Sequence, residues 1–193
     1  MSNSPRTRLD VAARREQLLA IGSELFAARP YDEVWIDDVA ARAEVSRGLL
    51  YHYFESKRGF LHAVVERETQ AILAATAVAP GVPAEAQLRR SIDGYLEYVA
   101  ARPHGYRALF RGAVGADRRV REIVDANLER QCERILASIA PEEPTEAMRL
   151  AVHGWIASLI AMVLRWLDDP AVEREELAAL ATAMLAATLA AAR

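Results

Sequence analysis

The sequence predicts an all-α protein of about nine helices, with a small N-terminal three-helix unit in front of a larger helical bundle. Three observations predict it. Apolar residues recur three and four apart along most of the chain, and no stretch alternates with period two for long enough to make a strand. Breaks containing Pro and Gly cut these periodic runs into helix-sized pieces, the clearest being Ala79-Pro80-Gly81-Val82-Pro83. Finally, 52% of the 193 residues are apolar, enough for a sizeable core and too many for a disordered chain.

The helices follow in order. Residues 1–9 are polar and read as a disordered arm, whose Arg6 and Arg8 could reach a minor groove. Helix one covers about Asp10 to Ala28, with Leu18, Ile21, Gly22, Leu25 and Phe26 on one face, and Arg29-Pro30-Tyr31 ends it. Helix two begins near Ile36, where Asp37 and Asp38 oppose the positive end of its dipole. Glu44-Val45-Ser46 then makes a very short connection, and Ser46 is a good N-cap for helix three. In that helix Leu50 and Phe54 lie four apart and can share a buried face, while Arg47, Gly48, Tyr51 and His52 point outward. Helix four runs from Ser56 to about Thr76 with Phe60, Leu61, Val64, Val65 and Ile72 inward, longer than a three-helix unit needs. Helix five is expected over 84–101, helix six over 106–113 after the break at Pro103-His104-Gly105, and helix seven over 117–139. Helix eight, over 145–167, is apolar across a broad arc, and helix nine, over 171–192, offers a surface of alanines. These elements divide into a helix-turn-helix unit (10–55), a connecting helix (56–78) and a ligand-binding and dimerisation unit (84–193).

The short capped third helix carries the chemistry. Arg47 can fork onto a guanine edge, Tyr51 can donate to phosphate, and Gly48 removes a side chain where a backbone could approach. Leu49 can pack on a thymine methyl. Lys57, just after a second N-cap at Ser56, would meet an anion together with free helix amides. The net charge of −3 does not oppose this, because Arg42, Arg47, Lys57 and Arg58 make this region locally basic.

These residues resemble the N-terminal DNA-binding domain of the TetR/AcrR family of bacterial transcriptional regulators. The match runs through Leu18, Gly22, Phe26, Tyr31, Asp38-Val39-Ala40, Ala43, Val45-Ser46, Gly48, Leu50-Tyr51, Tyr53-Phe54, Lys57 and Leu61, over roughly residues 10 to 65. The resemblance implies that Arg47, Gly48, Leu49, Tyr51, His52 and Lys57 face double-stranded DNA. It departs from the family where Val34-Trp35-Ile36 stands in place of a Thr that usually opens helix two. It also implies a palindromic operator and a small, largely apolar or aromatic effector bound in the body. The expected lining is Tyr95, Tyr98, Phe110, Trp155, Leu159 and Met162, with Asn127, Cys132 and His153 as further polar candidates. A homodimer through helices near 145–167 and 171–192 would cover the wide apolar arc of helix eight and present two heads to a palindrome. The expected function is a ligand-responsive repressor.

Other classes fit less well. An enzyme lacks support: there is no Gly-rich phosphate loop, no His-Glu metal pattern and no nucleophile set with arguable spacing. The four histidines are scattered, so neither a metal nor any other cofactor is expected. An interaction module that has lost DNA binding is the remaining alternative, kept open by Trp35 and Asp37. One cysteine allows no internal disulfide and points to a reducing compartment, the cytoplasm. The start has no apolar signal-peptide region, and the longest uncharged stretch, 177–192, is short for a membrane span, so no membrane partner is expected.

Overall fold

The computed structural model describes residues 10–29, 33–77, 81, 83–111, 117–139 and 143–192. The expected basic arm over residues 1–9, with Arg6 and Arg8, lies outside them. Among the described residues there are nine helices and no strand: α1 (Val11–Ala28), α2 (Ile36–Arg42), α3 (Arg47–Phe54), α4 (Lys57–Ala75), α5 (Ala84–Ala100), α6 (Pro103–Phe110), α7 (Arg118–Ile139), α8 (Glu146–Asp168) and α9 (Arg174–Ala191).

Side-chain caps set several of these starts. Asp10, Ser46, Ser56 and Thr145 each accept a hydrogen bond from the amide three residues on, satisfying a donor the helix cannot. Two helix starts differ from expectation by three residues each, and helix six also ends earlier, at Phe110. Helix α6 begins at Pro103 instead of Tyr106, because proline at the first helical position loses only an N–H that has no helical partner. Helix α9 begins at Arg174 instead of residue 171, because Glu176 reaches back to the Glu173 amide at 3.1 Å and caps the helix there.

Helices α1 to α4 enclose a core of Leu18, Val39, Leu50, Phe54 and Phe60. The approach of α1 to α4 is close at Gly22, where a Cβ would lie 2.5 Å from the Phe60 ring and 2.9 Å from Val64. Val120, Ile123 and Val124 of α7 join this same cluster. The head core is therefore continuous with the first half of α7. A second cluster fills the body between α5, α6, α8, α9 and the rest of α7, around Leu96, Val99, Leu136, Val152, Val163 and Leu185. Cys132 is a free, buried thiol of this core. Trp155 Nε1 donates to the Ala181 carbonyl at 2.8 Å and pins α8 to α9.

Polar joints also connect the head to the body. Asp117, just before α7, accepts from Arg58 Nε at 2.6 Å, from the backbone amides of Arg119 at 2.8 Å and Val120 at 3.2 Å, and lies 3.2 Å from His62 Nε2. Burial alone would raise its carboxyl. The bonds from Arg58, Val120, His62 and Arg119 outweigh that and hold it well below the ordinary carboxylate range. On another face, Glu68 of α4 accepts from the Tyr98 hydroxyl and pairs with Arg67 at 3.3 Å and Arg102 at 3.5 Å. Burial, then the neighbouring Glu68, raises the Tyr98 hydroxyl far above its ordinary range.

Helix α8 is long and apolar enough, by length and composition alone, to cross a membrane. In this fold it packs between α7 and α9 and buries Val152, Trp155, Ile156, Leu159 and Val163.

Candidate nucleic-acid interface and internal cavity

The α2–α3 unit turns through a left-handed residue. Ala43 ends α2, Glu44 takes φ 52°, and the Val45 and Glu44 amides donate to the Ala40 and Ala41 carbonyls at 3.0 and 3.1 Å. Val45 then packs against the core, and α3 starts at Arg47. Leu50 and Phe54 are the buried anchors of α3, so the helix lies flat on the head with its other face outward. Arg47, Gly48, Leu49 and His52 are exposed there and Tyr51 is half-buried. A Cβ at Gly48 would meet only the Ser46 hydroxyl, at 3.9 Å. The protein's own packing does not demand glycine at this point, and the absent side chain leaves room for another molecule.

The charges on this face are held loosely. Arg47 donates to Asp37 at 3.2 Å and to the Tyr51 hydroxyl at 3.5 Å, with its guanidinium 5.5 Å from the Tyr51 ring. The Tyr51 bond first, and then Asp37, raise Arg47 above its ordinary value, so it stays charged at any working pH. Both members of the Arg47–Asp37 pair are more than 60% exposed, so water screens it and separating it costs little. Lys57 opens α4, where Ser56 accepts from the Gly59 amide at 2.9 Å, and its ammonium lies 5.1 Å from the Trp35 ring. Trp35 is 62% exposed and has no oxygen with which to cap α2. Asp38 instead takes the Trp35 amide at 3.4 Å while paired with Arg29 at 3.1 Å. The departure at Val34-Trp35-Ile36 thus places an indole beside Lys57.

A cavity of about 180 Å³ lies in the body, walled by α4, α5, α6, α7 and α8. On this measure one water needs ~10–15 Å³, so the space admits a small organic molecule. Tyr95, Phe110, Trp155 and Leu159 line it, as does Asn127. Tyr98 and Met162 do not. Tyr98 borders a second, smaller cavity of about 50 Å³ between α1, α4 and α6, and Met162 packs on the body core. Cys132 is spent in that core, and His153 is exposed beside Glu129 at 3.2 Å. Sequence reasoning missed the polar side of the main cavity: Thr76, Ser91, Gln131 and Arg134. Only the spacing of Gln131 and Arg134, which puts both on one face of α7, offered a signal.

An exposed, capped recognition helix on a small helical head, joined to a hollow helical body, defines a helix-turn-helix regulator. Comparison with known proteins gives the family. Residues 18–64 match the model of bacterial regulatory proteins of the tetR family, and residues 84–188 match the tetracyclin repressor-like C-terminal domain. The chain belongs to the TetR family of bacterial transcriptional regulators; it is a DNA-binding protein and not an enzyme. A crystal structure of a tetR-family transcriptional regulator from Streptomyces coelicolor superposes with a TM-score of 0.88 at 30% identity, covering 95% of this chain and 83% of that one. The HTH-type transcriptional activator FasR of Mycolicibacterium smegmatis is 26% identical over 171 residues, 86% of this chain and 78% of its own. FadR of Bacillus subtilis, solved in complex with stearoyl-CoA, shares the fold with a TM-score of 0.64 at 20% identity, covering 90% of this chain and 96% of that one.

Proposed function

We propose that this protein is a homodimeric repressor that leaves a palindromic operator when a small, largely apolar effector fills the body cavity. One observation carries the reading: Thr69 and Ile72 of α4 and its C-cap Thr76 form part of the cavity wall, and the same helix begins at Lys57, directly after α3. A ligand that pushes on the far end of α4 moves the near end. Helix α6 offers a second route, since Tyr106 and Phe110 line the cavity while Gly105 sits against the α1 backbone near Phe26. To shift the protein from nearly always bound to nearly always free, the effector must favour the non-binding shape by ~5.5 kcal/mol. On this reading Arg47, Gly48, Leu49, Tyr51, His52 and Lys57 meet the operator, and the protein works in the cytoplasm.

The outer sides of α8 and α9 support the dimer. Leu150, Gly154, Ala157 and Ala161 form an exposed stripe at helical spacing on α8, and Leu180, Ala183 and Ala187 lie exposed on α9. Leu150 is 75% exposed and Leu180 51% within one chain. Two such faces can close into a four-helix interface about a twofold axis.

FasR is an activator, and a reporter distinguishes the two directions of control. Gel shifts with DNA from upstream of the protein's own gene test the reading: binding should be selective for a palindrome and fall steeply with salt. A reporter on that promoter should rise when the protein is deleted. A fall in the reporter assigns activation, and no preference over random DNA removes the regulator reading in favour of an interaction module.

A further inference from the structure

Among the described residues that line the main cavity, Arg134 alone carries a formal charge. It stands where α4, α5 and α7 meet. Its Nη1 donates to the Leu73 carbonyl at 2.8 Å; its Nη2 donates to the Gln131 side-chain oxygen at 2.9 Å and to the Thr76 hydroxyl. All three acceptors are neutral. The carboxylates nearest along α7 are engaged elsewhere, Glu133 with Arg149 and Glu129 with His153. Among the described residues the guanidinium has no acidic counterpart. A guanidinium has five N–H donors, so Nε and one Nη1 hydrogen remain available. Burial lowers its pKa from the ordinary value, the cost of a charge taken from water without an opposite charge.

The aromatic part of the lining is different in kind. Tyr95 and Tyr106 are joined by one hydroxyl–hydroxyl bond, which uses one of their two O–H donors, and Trp155 has given its N–H to Ala181. With Phe110, these rings present mostly hydrocarbon to the space and carry no formal charge. The lining thus combines one cation without an acidic counterpart among the described residues with a largely aromatic, uncharged surface.

We propose that the effector is an amphipathic monocarboxylate whose acid group pairs with Arg134 and whose hydrocarbon body lies against Tyr95, Phe110 and Trp155. This rests on the effector reading above and narrows it from an apolar molecule to an acid with an apolar body. The acid supplies the missing opposite charge, and a carboxylate matches the guanidinium geometry better than any neutral group.

Calorimetry on the full-length protein with octanoate, octanamide and methyl octanoate tests it, with operator release followed by gel shift in parallel. The wild type should bind octanoate about 10-fold or more tightly than either neutral analogue. Arg134→Gln should lose that preference, and Arg134→Lys should keep most of it. Equal affinity of the wild type for all three, or no binding of any, overturns the proposal, as does an acid preference that survives Arg134→Gln. The acid–amide comparison in the wild type needs no variant to fold. If octanoate binds with the expected preference but the operator complex persists, the site chemistry stands and the effector reading fails instead.

Discussion

At the scale of single residues, the proposed DNA face carries its own carboxylate. Asp37 pairs with Arg47 and adds negative charge to that face. Asp37→Asn should tighten binding to specific and random DNA alike, by about 2- to 5-fold at low salt, which titrations at two salt concentrations would read. Arg47→Ala should relax base preference at one position per half-site, scored by binding-site selection, whereas Tyr51→Phe with Lys57→Ala should weaken all DNA similarly and flatten the salt slope. Asp117 makes a different prediction. Its carboxyl is held low in the folded chain, so its contribution is complete above the unfolded pKa of ~3.9 and is lost as pH falls toward the folded value. Asp117→Asn should therefore cost on the order of 2 kcal/mol at pH 7 in denaturant unfolding, and the gap to wild type should narrow below about pH 4. At Glu44 a non-glycine residue sits at φ 52°, and Glu44→Gly should raise stability by about 0.5–1 kcal/mol in the same assay.

At the scale of elements, much of the architecture was legible because helical periodicity and caps are local. Ser46, Ser56 and Asp37-Asp38 marked starts that the structure keeps, and Leu50 with Phe54 identified the buried side of α3. What escaped depends on how helices cross. Tyr95 and Tyr98 lie three apart on α5, and periodicity treats them alike. The crossing of α4 over α5 sends Tyr95 to the main cavity and Tyr98 to Glu68. The sequence does not single out Arg134, because nothing in α7 alone says that the end of α4 covers it. That crossing is tight at Gly94, where a Cβ would lie 2.3 Å from the Ala75 carbonyl oxygen. Gly94→Ala should therefore push α4 from α5, cost about 1–3 kcal/mol by thermal unfolding, and alter ligand affinity more than DNA affinity.

At the scale of the whole molecule, one head reads too few base pairs to act alone, so dimerisation and operator binding should fail together. Ala161→Glu places a charge in the exposed stripe of α8. It should give a folded monomer by light scattering and circular dichroism, with palindrome affinity reduced by roughly 10²-fold or more. Retention of the dimer by this variant would move the interface elsewhere. The chain also carries a single lysine among its 24 basic residues, and that lysine is Lys57, at the head of α4 beside Trp35. Apart from the terminal amine, acylating reagents have one primary amine in the sequence to modify. A reagent of that kind becomes a footprint: the modified fraction should drop when operator is added, and the indole emission of Trp35 should report the same event without any label.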